Sequence, residues 1–292
     1  AVAVILGMAL VATAATPETG WELQSWGRHR ALSPAGPGRT GFTLLAPAAT
    51  GVTFTNRLDD EAAAANQIKL NGSGVALGDV DGDRWCDVYV CGLQDGNALF
   101  RNLGGWHFTN VTARAGVACA GQSSTGAALA DVDGDGDLDL LVNGIGTGTR
   151  LFLNDGHGVF TEAKESGLVG EFGATSLALA DVDGDGDLDL YVANYRTTTI
   201  RTTGFALLNA NGRRSVMPED RDRLELTSDG KVLENGEPDV FYRNVGGGRF
   251  ARLSWTDGTF LDESGQPLKA PPRDWGLSVM FRDLNGDGRP DL

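Results

Sequence analysis

The stretch Asp131–Leu140, DVDGDGDLDL, recurs letter for letter at Asp181–Leu190, and each copy places five aspartates within nine residues. Looser copies begin at Asp79 (DVDGDRWCD) and Asp283 (DLNGDGRPD), so the four motif starts are 52, 50 and 102 residues apart. A short run of small and apolar residues precedes each copy: Gly74–Leu77, Gly126–Leu129, Ser176–Leu179 and Leu277–Met280. The first three copies run directly into a second apolar stretch, DVYVC, DLLVN and DLYVA. Short apolar runs bounded by Gly and Asp read as two strands joined by an acidic loop. A glycine-tipped hairpin follows in ALFRNLGGWHF, RLFLNDGHGVF and VFYRNVGGGRF. There Asn102, Asn154 and Asn244 fall in register, as do Phe108, Phe160 and Phe250.

Four strands in a unit that repeats after 52 and then 50 residues predict an all-β fold, a β-propeller of four-stranded antiparallel blades. One blade cannot bury both of its faces alone, and radial stacking solves this by packing each sheet on the next. The 102-residue interval is compatible with a degenerate blade or with an insertion. A single glycine-tipped hairpin, Phe241–Phe250, lies within it, which favours an insertion at about 196–238 between the second and third strands of that blade. The sequence stops at Leu292, directly after the fourth motif, so an incomplete propeller is expected over residues 51–292, with further blades beyond Leu292. Phe54-Thr55-Asn56 echoes Phe108-Thr109-Asn110, and Gly51–Asn56 is expected to complete the last blade of the full ring.

The loop chemistry follows from spacing. Oxygen donors at loop positions 1, 3, 5 and 9, with glycine at 4 or 6, let a tight loop curl its carboxylates inward. The expected metal ligands are Asp79, Asp81, Asp83 and Asp87; Asp131, Asp133, Asp135 and Asp139; Asp181, Asp183, Asp185 and Asp189; and Asp283, Asn285, Asp287 and Asp291. Position 7 is expected to add a backbone carbonyl, from Trp85, Asp137, Asp187 and Arg289, leaving the side chains of Asp137 and Asp187 in water. So many hard donors in a flexible loop suit Ca²⁺ better than the stricter octahedron of Mg²⁺. Like charges packed this closely are strongly unfavourable without a cation. An EF-hand is excluded, because position 12 is Val90, Val142 or Val192 inside a β-type run rather than Glu before a helix. Asp-Gly runs also occur as plain solvated turns, but four copies at one phase after apolar strands argue for metal.

Composition bounds the rest. A chain of 292 residues with 41% hydrophobic side chains can build a sizeable core, and its 42 glycines favour tight turns over long helices. Of its 39 acidic residues 17 lie in the four motifs, so the net charge of −15 is local and the remaining body is nearly neutral. With no basic stripe to neutralise phosphates, a nucleic-acid partner is disfavoured. Residues 1–15, AVAVILGMALVATAA, read as the hydrophobic part of a secretory signal ending in small residues. Residues 16–50, with ALSPAGPGRT, read as a linker, and no membrane span is expected in the mature form. Cys86 is expected in the apolar slot held elsewhere by Leu138, Leu188 and Pro290, and a Cys91–Cys119 disulfide is sterically allowed. The three histidines, His29, His107 and His157, assemble neither a zinc set nor a catalytic triad.

The motifs resemble the FG-GAP (VCBS) calcium-loop repeats of integrin alpha-subunit propellers. The phrases NGSGVALGDVDGD, ALFRNLGG, STGAALADVDGDGDLDLLVN and PPRDWGLSVMFRDLNGDG are similar to those of bacterial relatives of the cartilage acidic protein family, many of which end in an ASPIC/UnbV domain. The resemblance implies a secreted or cell-envelope protein that binds an extracellular protein or glycan in a calcium-dependent way and performs no catalysis. Arg84 departs from the glycine usual at its position. A rival expectation is a calcium-dependent, lyase-like polysaccharide enzyme built on the same propeller, drawing carboxylates such as Glu219, Asp220, Glu225 or Glu237 from the insertion.

Overall fold

The computed structural model describes residues 22–24, 27–29 and 41–292 other than residue 263; the expected signal segment 1–15 lies outside the described residues. The chain divides into two units, Ala1–Leu44 and Leu45–Leu292. In the first, strands Glu22–Gln24 and Gly27–His29 pair as an antiparallel hairpin within the stretch expected to be a linker. The second unit carries three four-stranded antiparallel sheets.

The first sheet is built from Val75–Gly78, Asp87–Val90, Ala98–Asn102 and Phe108–Asn110. The second comprises Ser124–Ala130, Asp139–Gly144, Gly148–Asn154 and Phe160–Glu162. The third comprises Ala174–Ala180, Asp189–Asn194, Val240–Asn244 and Phe250–Arg252. Within each sheet the strands, numbered 1 to 4 in chain order, lie side by side in that order. Antiparallel alternation therefore puts the acidic 1–2 loops and the glycine-tipped 3–4 hairpins at one end, and the 2–3 connections at the other.

Strand 2 shows why the apolar runs are continuous rather than alternating. Successive side chains point to opposite faces, and in the second sheet both faces are covered. Leu140 and Val142 pack toward the first sheet with Tyr89, Leu99 and Phe160, while Leu141 packs toward the third with Leu190, Val192 and Tyr242. Each such side chain contributes about 1.5–3 kcal/mol by leaving water. The strands numbered 1 converge so closely that a Cβ on Gly74 would lie 2.7 Å from the Cα of Gly126. Backbone meets backbone there, and only glycine fits.

In the third sheet, strands 2 and 3 are neighbours although residues 195–239 separate them in sequence. That segment carries two hairpins, Leu207–Ala210 with Arg213–Val216 and Leu224–Leu226 with Val232–Glu234. Glu237 anchors its base by accepting from the backbone N–H groups of Gly173 (2.6 Å) and Thr197 (2.9 Å). A helix absent from the sequence expectations, Asp60–Ala65, starts where Asp59 Oδ1 accepts from the N–H of Ala62 (2.7 Å).

Four expectations are corrected. Leu277–Met280 forms no strand, and the ladder flanking its loop is a single bridge between Arg282 and Asp291. The segment is held instead by burying Val279 and Phe281 against Tyr191, Phe241 and Trp255 of the third sheet and its flank. Gly51–Asn56 is likewise not a strand, and Asn56 accepts from the N–H of Leu93 (3.0 Å). Cys86 is exposed: its equivalent in the second sheet, Leu138, packs over Gly78 of the preceding sheet, whereas the first sheet has no preceding sheet among the described residues. Finally, Cys91 and Cys119 are separate buried thiols: the Cys119 sulfur faces the Tyr89 hydroxyl (3.7 Å), which itself donates to the Val117 carbonyl (2.8 Å).

Candidate metal centre

Each acidic loop is shaped by its own carboxylates. The position-1 aspartate accepts from the backbone N–H groups that turn beneath it: Asp131 from Gly134 (2.8 Å) and Gly136 (3.0 Å), and Asp181 from Gly184 (2.7 Å) and Gly186 (3.1 Å). This curl needs left-handed backbone at positions 4 and 6, which glycine supplies at Gly134 (φ 82°) and Gly136 (φ 95°). In the first loop Arg84 adopts the same conformation (φ 71°), so the turn survives the departure from glycine.

The position-9 aspartate opens strand 2 and is wholly buried. Asp139 accepts from Val132 N–H in its own loop (3.0 Å) and Asn154 N–H on strand 3 (2.9 Å). Asp87 and Asp189 repeat the pattern with Val80 and Asn102, and with Val182 and Asn244. Burial raises the pKa of Asp87 and Asp189 and lifts that of Asp139 to about 6. Burial likewise raises Asp81 and Asp133 at position 3. Carboxylates that resist ionisation because they are desolvated beside one another are those a cation would relieve.

The three loops bring positions 1, 3 and 9 together. Asp79, Asp81 and Asp87, then Asp131, Asp133 and Asp139, then Asp181, Asp183 and Asp189 each offer oxygens within 4.8 Å of one another, and each triad can hold a metal ion. In the first triad Asp81 Oδ1 is buried without a hydrogen-bond partner, an orphaned acceptor that suits a cation. The structure leaves position 5 outside these triads: Asp83, Asp135 and Asp185 accept instead from the position-7 N–H groups of Trp85, Asp137 and Asp187, all at 2.9 Å. In the fourth loop Asp283 and Asp291 keep their backbone bonds to Gly286 and Leu284, while Asn285 accepts from Asp287 N–H (2.8 Å).

The position-7 side chains correct another expectation. Asp137 and Asp187 are half-buried, not free in water, because the glycine tip of the 3–4 hairpin comes under them. A Cβ at Gly156 would collide with Asp137 Oδ2, and Trp85 covers Gly104 in the same way in the first sheet.

Two groups of residues outside the sequence-derived ligand set complete the architecture. Asn154 Nδ2 donates both to Leu138 O of its own loop (3.1 Å) and to Val80 O of the preceding sheet's loop (2.9 Å); Asn244 does the same to Leu188 O (3.3 Å) and Val132 O (2.8 Å). Arginines on strand 3 approach the loops directly. Arg101 ion-pairs with Asp81 and with Asp83 (2.9 Å), and Arg243 with Asp183 (3.1 Å). The in-register asparagines were visible in sequence, but their partners in another repeat were not.

Among curated proteins no relative is found. A solved structure of an Agrocybe aegerita lectin, described for its specific recognition of non-reducing terminal N-acetylglucosamine, is similar at 23% identity with a TM-score of 0.27. The match covers 60% of this chain and 49% of that one, so the chain spans about half the length of the solved relative. No helix among the described residues is long and apolar enough to cross a membrane. The family model of the FG-GAP-like repeat matches residues 79–142, 131–192 and 232–292, the first two each running from an acidic loop into strand 2 of the next sheet and the third from the second inserted hairpin to the fourth loop. With loops, sheets and inter-sheet asparagines recurring in that same phase, the chain belongs to the FG-GAP-like repeat family.

Proposed function

We propose that this chain is part of a calcium-stabilised β-propeller, exported from the cell, that binds an extracellular protein or glycan without catalysing a reaction. The observation that carries this reading is the threefold recurrence of a pre-curled, all-oxygen triad whose position-9 carboxylate is buried. Asp79, Asp81 and Asp87 would hold one ion, with Asp131, Asp133 and Asp139, and Asp181, Asp183 and Asp189, holding two more. Donors of this kind favour Ca²⁺ over softer metals. The ion's role is electrostatic: it neutralises clustered acid, and the loops then brace the ends of strands 1 and 2. Asp283, Asn285, Asp287 and Asp291 would form a weaker fourth site, having one carboxylate fewer.

Ligand recognition is assigned to the opposite end, where residues 195–239 emerge. A cleft of about 440 Å³ opens there, lined by Gln67, Tyr195, Arg201, Glu234 and Trp275 among others. The Tyr195 and Trp275 rings lie 4.4 Å apart between centroids. Exposed aromatic surface beside a few polar groups suits a peptide side chain or a sugar.

The test is thermal unfolding with and without a chelator, followed by binding. Removal of divalent ions is expected to lower Tm, with recovery on adding Ca²⁺ but not Na⁺. A melting curve indifferent to chelator, together with no heat of calcium binding in calorimetry, would overturn the reading.

A further inference from the structure

We infer that the three complete loops differ in metal affinity, the second binding tightest, because of the residue that stands one place before the strand-3 asparagine. This rests on the reading that the triads hold calcium, and it assigns to Arg101, Leu153 and Arg243 the grading of the sites.

The three residues are in one register, each paired across to strand 4: Arg101 with Thr109, Leu153 with Thr161 and Arg243 with Ala251. Their chemistry differs sharply. Arg101 is ion-paired with Asp81 and Asp83, and its guanidinium therefore occupies the charge of positions 3 and 5. Arg243 is paired with Asp183 alone, at 3.1 Å. Leu153 offers no charge and packs instead beside the tip of the next hairpin, its Cδ2 3.1 Å from where a Cβ on Gly248 would stand.

Charge in and around the loops follows the same order. The first has four aspartates, carries Arg84 within it and faces Arg101; Arg114 and His157 line the same small cleft as Asp81 and Arg101. The third has five aspartates against Arg243. The second has five aspartates and Leu153 in place of arginine. Affinity of oxygen-ligand sites is tuned by ligand charge count and rigidity, so a fixed internal cation lowers affinity and its absence raises it. The orphaned Asp81 Oδ1, on a side chain only 10% exposed, points to a ligand at the first loop as well, so Arg101 weakens that site without abolishing it. The guanidinium also keeps the first loop's carboxylates together when metal is scarce.

The test is calcium titration calorimetry on the full chain, with terbium luminescence excited through tryptophan as a local probe, since Trp85 lies in the first loop. The wild type is expected to show one tight class of site and weaker ones. Arg101→Leu is expected to tighten the terbium-reporting site on the order of tenfold, while Arg101→Lys leaves it weak and Trp85→Phe removes its signal. Leu153→Arg is expected to weaken the tight class by a similar factor. If Leu153→Arg does not fold, the Arg101→Leu and Arg101→Lys pair decides. Calcium isotherms unchanged by Arg101→Leu would overturn the grading and leave the calcium reading standing; no binding of calcium by the wild type would remove both.

Discussion

Asn154 donates from Nδ2 to the carbonyl oxygen of Val80 across 2.9 Å, joining strand 3 of the second sheet to the acidic loop of the first. Its other amide hydrogen bonds reach Leu138 O, and its Oδ1 accepts from Gly158 N–H (3.2 Å). One side chain thus links two loops and a hairpin tip, so neighbouring sheets are stitched together at the end where the carboxylates gather. The hydrophobic interface supplies the bulk of the packing energy, but it is non-directional. The asparagine sets which loop meets which tip.

Replacing Asn154 by Ala should therefore cost more than the loss of an ordinary surface amide. With Val80 O left unpaired and two further bonds gone, a destabilisation of about 2–3 kcal/mol is expected. Asn102 provides an internal comparison, because its amide donates only to Cys86 O at an exposed site and its Oδ1 accepts from Gly104 N–H. Asn102→Ala should cost about 1 kcal/mol. Urea unfolding of both variants checks the difference; equal losses would deny Asn154 its inter-sheet role.

The approach of Gly74 to Gly126 gives a sharper test. A Cβ on Gly74 would meet backbone atoms of Gly126 and Ala127 at 2.7 and 3.2 Å, and backbone cannot rotate aside. Gly74→Ala is expected to cost about 1–3 kcal/mol through overpacking. Gly82→Ala, whose Cβ would meet nothing within 4 Å, tests instead the left-handed φ of 74°. A Gly74→Ala protein as stable as the wild type would show that the first strands can separate.

Much of this architecture was legible because it is local. The acidic loops, the flanking strands and the hairpin tips each occupy a dozen residues or fewer, and repetition makes their phase visible. What escaped depended on contacts between distant segments. Nothing in the sequence near Asp137 announces that a glycine tip will lie beneath its carboxylate, and nothing near Arg101 announces Asp81. Spacing makes position 5 an expected ligand, and it gives no sign that Oδ1 of Asp135 also accepts from the Asp137 N–H two residues away. The Asp60–Ala65 helix lies outside the repeated unit, so periodicity gives no sign of it; its signal is local, an alanine run opened by the cap at Asp59.

Thiol chemistry separates the three cysteines. Cys86 is exposed, whereas Cys91 and Cys119 lie in the core between the first two sheets. Burial pushes the Cys91 thiol up to about 12 and raises that of Cys119 as well, so neither offers much thiolate at neutral pH. Under native conditions an alkylating reagent is expected to label one thiol, at Cys86, and in denaturant all three. Native labelling of Cys91 or Cys119, or a denatured count of one, would contradict separate buried thiols.

Asp239 supplies a pH dependence independent of the loops. It is buried at the start of strand 3, where Tyr191 Oη donates to Oδ2 (2.8 Å) and Asn194 N–H to Oδ1 (2.6 Å). These bonds favour the carboxylate, yet burial outweighs them and lifts its pKa from 3.8 to about 6. Because the native pKa exceeds the unfolded one, the folded chain takes up the proton first as pH falls. The penalty for burying the charge is therefore fully present above about 6 and fades as pH drops toward 3.8. Asp83, Glu162 and Asp283, whose pKa values are lowered, contribute in the opposite sense, but only as pH falls into and below the ordinary carboxylate range. Asp239→Asn removes this titration while keeping an oxygen that can accept from Asn194. The stability of the wild type relative to Asp239→Asn should therefore rise between pH 7.5 and pH 5, by at most ~2 kcal/mol. Urea unfolding at saturating Ca²⁺ and several pH values measures that gap, and a gap that stays constant would mean Asp239 is not the titrating group.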